Sequence, residues 1–312
     1  MLSGNAALMP RSARERLAIF LVRSTLRTAL QPVLSPRVPI PWQRWWLTLL
    51  TRSNRPKDRV DIQGAALGGV TGEWVRPRQR KANGKSRGVI LYLHGGAYCI
   101  GSPPTHRRLT ASLALATGLP IFVADYRLAP EHPFPAAVED AISAYRSLSA
   151  MGPVIIAGDS AGGGLSLATA LALRQRQISL PSALILFSPW IDLTLSALSH
   201  AAAKREPILS YAWLSACARY YLAGSDPAAP LASPIYGDLR GLPPILIQVG
   251  SDDLLHGDAT RIRGALMSAG VTVRFETEPA HWHVFQLHAG MLAAADAAIQ
   301  QAADFVLLKV QT

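Results

Sequence analysis

A short apolar run that leads into Gly-Asp-Ser-Ala-Gly at residues 158–162 constrains the fold of this chain more than any other stretch. The run, residues 154–157, has the length and the β-branched side chains of a buried strand. The alanine- and leucine-rich segment at 165–176 contains no proline and predicts a helix. A strand, Gly-x-Ser-x-Gly and a helix in this order indicate a sharp turn that holds Ser160 in a strained conformation above a sheet edge. Because a plain glycine-rich turn has the same sequence, the rest of the chain must decide whether Ser160 is a nucleophile.

Strands and helices alternate along most of the chain, which predicts an α/β fold with a largely parallel sheet covered on both faces. An antiparallel pair is expected at 59–63 and 69–75. Further strands are predicted at 89–93, 121–124, 154–157, 183–187, 245–249 and 271–276. Helices are predicted between them at 104–117, 135–150, 165–176, 259–269 and 287–309. No Gly/Ser-rich or charged linker divides the 312 residues, which favours one domain.

Two segments, about residues 1–50 and 190–240, stand apart from this alternation and are predicted to form a helical cap over Ser160. The first contains an amphipathic helix at 12–31 and a second helix from about residue 41. The second is too long for a simple strand connection. The helix near residue 41 carries Trp42, Trp45 and Trp46. We interpret these tryptophans as packing beside the mouth of the site, with a substrate-facing or membrane-facing surface as the alternative.

The net charge of +11 comes mainly from arginines and lysines in the first 110 residues, including a basic loop at 76–87. These charges are scattered between apolar segments and no nucleic-acid motif appears, so solvated helix faces or an anionic membrane surface explain them better than nucleic acid. The two cysteines, Cys99 and Cys217, lack metal-ligand spacing and are predicted to be buried thiols. The N-terminus has no signal-peptide pattern, and no apolar run is long enough to span a membrane. We therefore expect a cytoplasmic protein.

A nucleophilic serine needs a base, an acid that orients the base, and donors for the oxyanion. In a fold with a strand-to-helix elbow, these groups follow the order serine, acid, histidine. The bare backbone of Gly95, Gly96 and Ala97, directly after the strand at 89–93, is predicted to supply oxyanion donors. The N–H of Ala161, next to the serine, is expected to complete the oxyanion hole.

The base is expected in the loop between the last strand and the closing helix, which contains His281 and His283. We choose His283, with His281 in reserve, and assign His288 to the start of the helix. The acid is expected after the strand at 245–249, where Asp252 and Asp253 are adjacent. Spacing alone does not choose between these two carboxylates.

Three motifs in the right order resemble the hormone-sensitive-lipase group of α/β-hydrolase carboxylesterases. They are His-Gly-Gly-Ala at 94–97, Tyr-Arg-Leu-Ala-Pro-Glu-His-Pro-Phe-Pro-Ala at 126–136 and Gly-Asp-Ser-Ala-Gly at 158–162. The resemblance extends over roughly residues 88–305. It implies an α/β-hydrolase fold with a helical cap and a Ser-His-Asp triad. It also implies an acyl-enzyme intermediate, short- to medium-chain esters, and no cofactor or metal.

The same resemblance bears on the acid. Aligned without a gap, Asp253 takes the place of the family's acid, 30 residues before His283, and Asp252 remains the alternative. Ala97 stands where the family usually has a third glycine, which implies a narrower acyl pocket but no lost backbone donor. Glu131 and Asp159 are expected to support the loops around the serine rather than to react.

The expected partner is a small-molecule ester, with no nucleic acid. An anionic membrane surface and a second copy of the chain, as a homodimer, stay open as further partners. A binding protein on the same scaffold is the competing hypothesis, because related plant hormone receptors resemble this family but lack the catalytic histidine. His283 argues against that hypothesis. A dinucleotide site is disfavoured because residues 158–163 do not match Gly-x-Gly-x-x-Gly.

Overall fold

The computed structural model describes residues 12–52, 59–78, 88–198 and 204–310. Residues 1–11 of the predicted cap and residues 79–87 of the predicted basic loop lie outside the described residues. In the described chain, one sheet has the strand order β1-β2-β4-β3-β5-β6-β7-β8. Its strands are β1 Val60–Leu67, β2 Val70–Pro77, β3 Val89–Leu93, β4 Ile121–Ala124, β5 Val154–Asp159, β6 Ala183–Phe187, β7 Ile245–Gly250 and β8 Val273–Glu278.

Helices cover this sheet and extend beyond its carboxyl edge. They are α1 Ala13–Thr25, α2 Ile40–Thr51, α3 Pro103–Thr117, α4 Ala136–Ser149, α5 Ala161–Gln175, α6 Tyr211–Leu222, α7 His256–Ser268 and α8 Ala293–Val310. A π-helical turn, Leu26–Leu30, continues α1. Short 3₁₀ turns lie at Pro234–Tyr236 and Phe285–His288.

Strands β3 to β8 pair in parallel, and β1 and β2 add an antiparallel edge. Every residue of β3, β4, β5, β6 and β7 is buried, because helices lie on both sides of these strands. Their sequences are therefore nearly continuous apolar runs. The carboxyl ends of parallel strands meet at one edge of the sheet, so the loops after β3, β5, β7 and β8 converge there.

The α/β prediction is confirmed, and the differences concern the ends of elements. Helix α5 begins at Ala161, directly after Ser160, instead of at residue 165. The closing helix begins at Ala293 rather than 287, because Phe285–His288 forms a 3₁₀ turn and Gly290 adopts φ +82°. Strand β8 begins two residues late, because Val271 N–H still bonds to the carbonyl of Leu266 and closes the end of α7.

The packing interpretation of the tryptophans is wrong for two of the three. Trp42 and Trp45 are 62% and 54% exposed. Trp46 is half-buried and donates Nε1–H to the carbonyl of Ala29 at 2.7 Å. The helix turns its other face inward, where Gln43 is buried. Trp46 lies three residues after Gln43 and shares its inward side of the helix, whereas Trp42 and Trp45 lie one residue before and two residues after Gln43 and point outward.

Both cysteines are buried and free, as predicted. The two residues are neighbours: the Sγ atom of Cys99 lies 3.8 Å from the backbone carbonyl oxygen of Cys217, which is a weak contact. No helix in the described ranges is long and apolar enough to cross a membrane.

Candidate active site

The turn between β5 and α5 carries Ser160 at the carboxyl edge of the sheet. Ser160 has φ 54° and ψ −122°, a conformation that L-residues rarely adopt and that costs roughly 1–2 kcal/mol. Its N–H donates to the carbonyl of Phe187 at 2.9 Å, which ties the turn to β6. A Cβ on Gly158 would overlap the carbonyl oxygen of Gly162, and a Cβ on Gly162 would overlap that of Leu93. The two glycines of the motif are therefore required by close backbone packing.

The loop after β3 wraps over this turn with three successive residues at positive φ: Gly96 at 120°, Ala97 at 52° and Tyr98 at 62°. Gly95, Gly96 and Ala97 all line the same cavity as Ser160. The N–H of Gly95, however, donates to Asp159 Oδ1 at 3.0 Å. The prediction that Gly95 supplies an oxyanion donor is therefore wrong, because its donor holds the loop against the turn.

The other predicted donors remain available. Among the described residues, no acceptor receives the N–H of Gly96 or Ala97. Ala161 is the first residue of α5, whose N-terminus has no side-chain cap. Unsatisfied N–H groups at such a terminus favour negative charge.

His283 and Asp253 meet beside the cavity. Nδ1 of His283 lies 3.1 Å from Asp253 Oδ1 and 3.2 Å from Oδ2. Asp253 is fully buried and also accepts the N–H of Leu255 at 2.8 Å, which fixes the carboxylate. His283 lines the cavity that Ser160 lines. Burial opposes the charged form of His283, but the negative charges of Asp253 and Glu206 raise its pKa overall.

The alternative residues have other contacts. Asp252 faces away from His283 and pairs with Arg23 at 2.9 Å and with Arg205 at 3.2 Å. His281 is fully buried, and its Nδ1 lies 3.0 Å from the carbonyl oxygen of Pro279. His288 lies in the 3₁₀ turn rather than in the closing helix, and burial lowers its pKa to about 4. The geometry therefore favours Asp253 and His283 as the acid and base.

The chain matches the family model described as alpha/beta hydrolase fold over residues 90–287. It is 46% identical to an acetyl-hydrolase of Streptomyces hygroscopicus over 77% of this chain and 80% of that protein. It is 38% identical to the putative acetyl-hydrolase LipR of Mycobacterium tuberculosis, with 89% and 91% covered. A crystal structure of an esterase from the bacterial hormone-sensitive lipase family superposes with a TM-score of 0.87 at 36% identity, with 97% and 100% covered. The chain belongs to this family of α/β-hydrolases. It is an ester hydrolase.

In this esterase, the backbone around His283 is held by two buried side chains that the sequence did not single out. Glu206 Oε2 accepts the N–H of His283 at 3.1 Å, and Ser188 Oγ accepts the N–H of Val284 at 3.0 Å. Val284 has φ 46°, which is strained for a β-branched residue. Glu206 Oε1 also accepts the N–H of Ile208 at 2.8 Å. Burial, together with the charge of Asp253, raises the pKa of Glu206 to about 7.

Asp159 organises the other side of the esterase site, as expected for a supporting residue. Besides Gly95, its Oδ1 accepts the hydroxyl of Tyr92 at 2.7 Å, and its Oδ2 lies 3.3 Å from His106 Nε2. Burial opposes charge on both partners, yet their mutual attraction lowers the pKa of Asp159 and raises that of His106. Glu131 has a supporting contact further out, because it pairs with Arg44 of α2 at 2.7 Å.

The cavity of the esterase has a volume of about 400 Å³ and a mainly apolar wall. Ser160 and His283 are among the polar residues that line it. Side chains from both segments predicted to form the cap contribute to its wall: Leu21, Val22, Leu26, Leu30, Leu34, Leu47, Leu50, Ile208, Leu209 and Trp213. In the described ranges, no group of three or more His, Cys, Asp or Glu side chains could hold a metal ion.

Proposed function

We propose that this esterase hydrolyses short- to medium-chain carboxylic esters with Ser160 as nucleophile, His283 as general base and acid, and Asp253 as the residue that orients His283. The observation that carries the proposal is the buried Asp253–His283 pair beside a cavity that Ser160 also lines. With Nδ1–H held by Asp253, the Nε2 of His283 is left as the proton acceptor. The proposed reaction requires a hydrogen bond from Ser160 Oγ to His283 Nε2.

The reaction proceeds in two halves. Ser160 Oγ attacks the ester carbonyl carbon while its proton passes to His283 Nε2, and the carbonyl oxygen becomes an oxyanion. The N–H groups of Gly96, Ala97 and Ala161 stabilise that oxyanion, and each donor contributes roughly 10²–10³ in rate. His283 then protonates the leaving alcohol as the C–O bond breaks. Water, deprotonated by His283, attacks the acyl-enzyme, and the proton returns to Ser160 as the acid leaves.

The size and polarity of the cavity support the substrate class. A cavity of about 400 Å³ with leucines along its wall suits an apolar acyl chain and disfavours a charged one. One relative is named an acetyl-hydrolase and another a putative acetyl-hydrolase, so an acetyl ester is included in the test.

The test is a panel of 4-nitrophenyl esters of increasing acyl length, run on the wild type and on Ser160→Ala. We expect turnover to be greatest for short to medium chains and to fall at least about 10³-fold in the variant. A serine-reactive fluorophosphonate should label the wild type and not Ser160→Ala. Turnover or labelling that survives in a folded Ser160→Ala variant would reject Ser160 as the nucleophile. A wild type that neither turns over nor becomes labelled would favour a binding protein.

A further inference from the structure

The outer faces of α1 and α2 are apolar, whereas the solvent-facing side of a helix is normally polar. Leu17, Phe20 and Leu21 have i, i+3, i+4 spacing on α1, and Trp42, Trp45 and Leu49 have i, i+3, i+7 spacing on α2. These six side chains are 44% to 65% exposed. The other large hydrophobic side chains exposed in the described chain are scattered between residues 151 and 308. Trp46 of α2 bonds to the carbonyl of Ala29 in the π-helical turn that continues α1, so the two helices are neighbours. We call these six residues the outer apolar face, because exposed apolar side chains grouped on neighbouring helices mark an interaction surface.

The charge around the outer apolar face has one sign. Residues 12–52 contain a single acidic residue, Glu15, and seven arginines: Arg14, Arg16, Arg23, Arg27, Arg37, Arg44 and Arg52. Arg23 and Arg44 are engaged by Asp252 and Glu131. Arg14, Arg37 and Arg52 are exposed. An apolar face fringed by arginine is complementary to anionic headgroups above an acyl layer.

The outer apolar face also borders the cavity. Leu21 is 54% exposed and lines the cavity, so the cavity wall reaches the surface within this face. Other faces of the same helices line the interior through Val22, Leu47 and Leu50. Tryptophan is enriched at membrane–water interfaces, because its ring is apolar and its N–H is polar.

We propose that the outer apolar face of α1 and α2 docks on an anionic lipid surface, with the helices lying in the headgroup region. A second copy of the chain fits less well, because pairing this face with itself would bring two sets of arginines together. The quantity measured is binding of the protein to lipid vesicles. The result therefore does not depend on which residues catalyse ester hydrolysis.

The experiment is co-sedimentation of the full chain with vesicles of phosphatidylglycerol mixed with phosphatidylcholine, and with vesicles of phosphatidylcholine alone. The test variant is Trp42→Ser/Trp45→Ser. The matched control is Met151→Ser/Met267→Ser, which removes two exposed apolar side chains that precede β5 and β8 at the opposite edge of the sheet. Turnover of a soluble acetyl ester and sedimentation velocity without lipid are measured on the same samples.

We expect the wild type and the methionine variant to bind the anionic vesicles alike, and the tryptophan variant to bind roughly tenfold more weakly. High salt and pure phosphatidylcholine should each weaken wild-type binding, while turnover of the soluble ester stays unchanged in both variants. Equal binding by the two variants, or no wild-type binding to anionic vesicles at low salt, would overturn the proposal. A wild type that is dimeric without lipid and a tryptophan variant that is monomeric would assign the face to a second copy instead.

Discussion

At the carboxyl edge of the sheet, polar side chains are buried and matched to partners, whereas on α1 and α2 large apolar side chains stand in solvent. Asp253, Asp159 and Glu206 are nearly inaccessible, and each accepts hydrogen bonds from its surroundings. Trp42 and Trp45 are more than half exposed. Each region thus breaks a common rule of soluble proteins, and departures of this kind mark functional sites. The first region contains the groups of the proposed reaction, and the second contains the proposed lipid-docking face.

The two regions are joined through the residue beside the proposed triad acid. Arg23 of α1 pairs with Asp252, and Arg205 pairs with the same carboxylate. Glu206, the next residue, holds the backbone of His283. Variants at these positions separate a direct contribution to the chemistry from a contribution through helix attachment.

The largest expected difference is between two adjacent aspartates. Asp253→Asn should lower kcat by about 10⁴-fold, because the amide no longer holds His283 in the tautomer that accepts the serine proton. Asp252→Asn should lower kcat by less than about tenfold, because it weakens the ion pairs to Arg23 and Arg205 but leaves the contact between Asp253 and His283. Steady-state kinetics on a short-chain ester measures both. The reverse order of the two losses would transfer the role of acid to Asp252.

Glu206→Gln tests whether the support of His283 also tunes its protonation. In Glu206, one carboxylate oxygen accepts the N–H of His283 and the other accepts the N–H of Ile208. The glutamine amide has only one oxygen, so one of these hydrogen bonds is lost, and we expect kcat to fall by roughly tenfold. Glu206, with a pKa of about 7, is partly ionised over the range in which His283 titrates, and its negative charge raises the pKa of His283. The base works only when it is neutral. Removing that charge lowers the pKa of His283, so the acidic limb of the kcat/KM profile should move to lower pH.

The matched control is Glu131→Gln, the same change at a carboxylate that pairs with Arg44. It should leave the acidic limb where it is in the wild type. If both variants shift the limb equally, or neither does, Glu206 has no specific effect on His283.

How far the sequence could predict these features depends on how local each one is. Strands β3, β4 and β6 were predicted to the residue, because each is a short, fully buried apolar run. Helix α5 was placed too late, because three glycines after Ala161 have low helix propensity. Packing decides their conformation, since a Cβ on Gly164 would overlap the carbonyl oxygen of Trp190.

The site divides in the same way. The sequence reveals Ser160 by its motif, and His283 and the aspartates at 252–253 by their order along the chain. No local sequence pattern marks Glu206, Ser188 or His106, because only the folded sheet brings these residues to the site. Choosing Asp253 from spacing alone was out of reach, because the direction of each carboxylate depends on the turn after β7. The error at Gly95 has a similar cause, since a Gly-Gly sequence does not reveal which N–H turns towards Asp159.

Leu47→Ala tests the inner face of α2, and Leu49→Ala on its outer face is the matched control. Leu47 lines the cavity, while Leu49 is exposed. Removing the Leu47 side chain makes room for more acyl carbons, so the ratio of kcat/KM for octanoate to that for butyrate should rise by up to about tenfold. The Leu49 variant should keep the wild-type ratio. Equal ratios in the two variants would show that α2 does not limit acyl length.

The smallest expected effect is at Ala97, the position where the family usually has a third glycine. Ala97 has φ 52°, so Ala97→Gly removes backbone strain but adds freedom to the unfolded chain. These effects oppose each other, and the free energy of unfolding in urea should change by less than about 1 kcal/mol. The backbone N–H is retained, so kcat for an acetyl ester should change by no more than about twofold.

Gly96→Ala, one residue earlier, is the control. Its Cβ would overlap the carbonyl oxygen of Ile100, and its φ of 120° is closed to alanine, so this change should disrupt the loop and most of the activity. Ala97→Gly removes one methyl group and Gly96→Ala adds one at the neighbouring position. Comparing the two variants therefore separates the effect of the side chain on activity from the effect of the backbone conformation. A large loss in Ala97→Gly would mean that the Ala97 methyl group, packed within the cavity wall, holds the N–H groups in place.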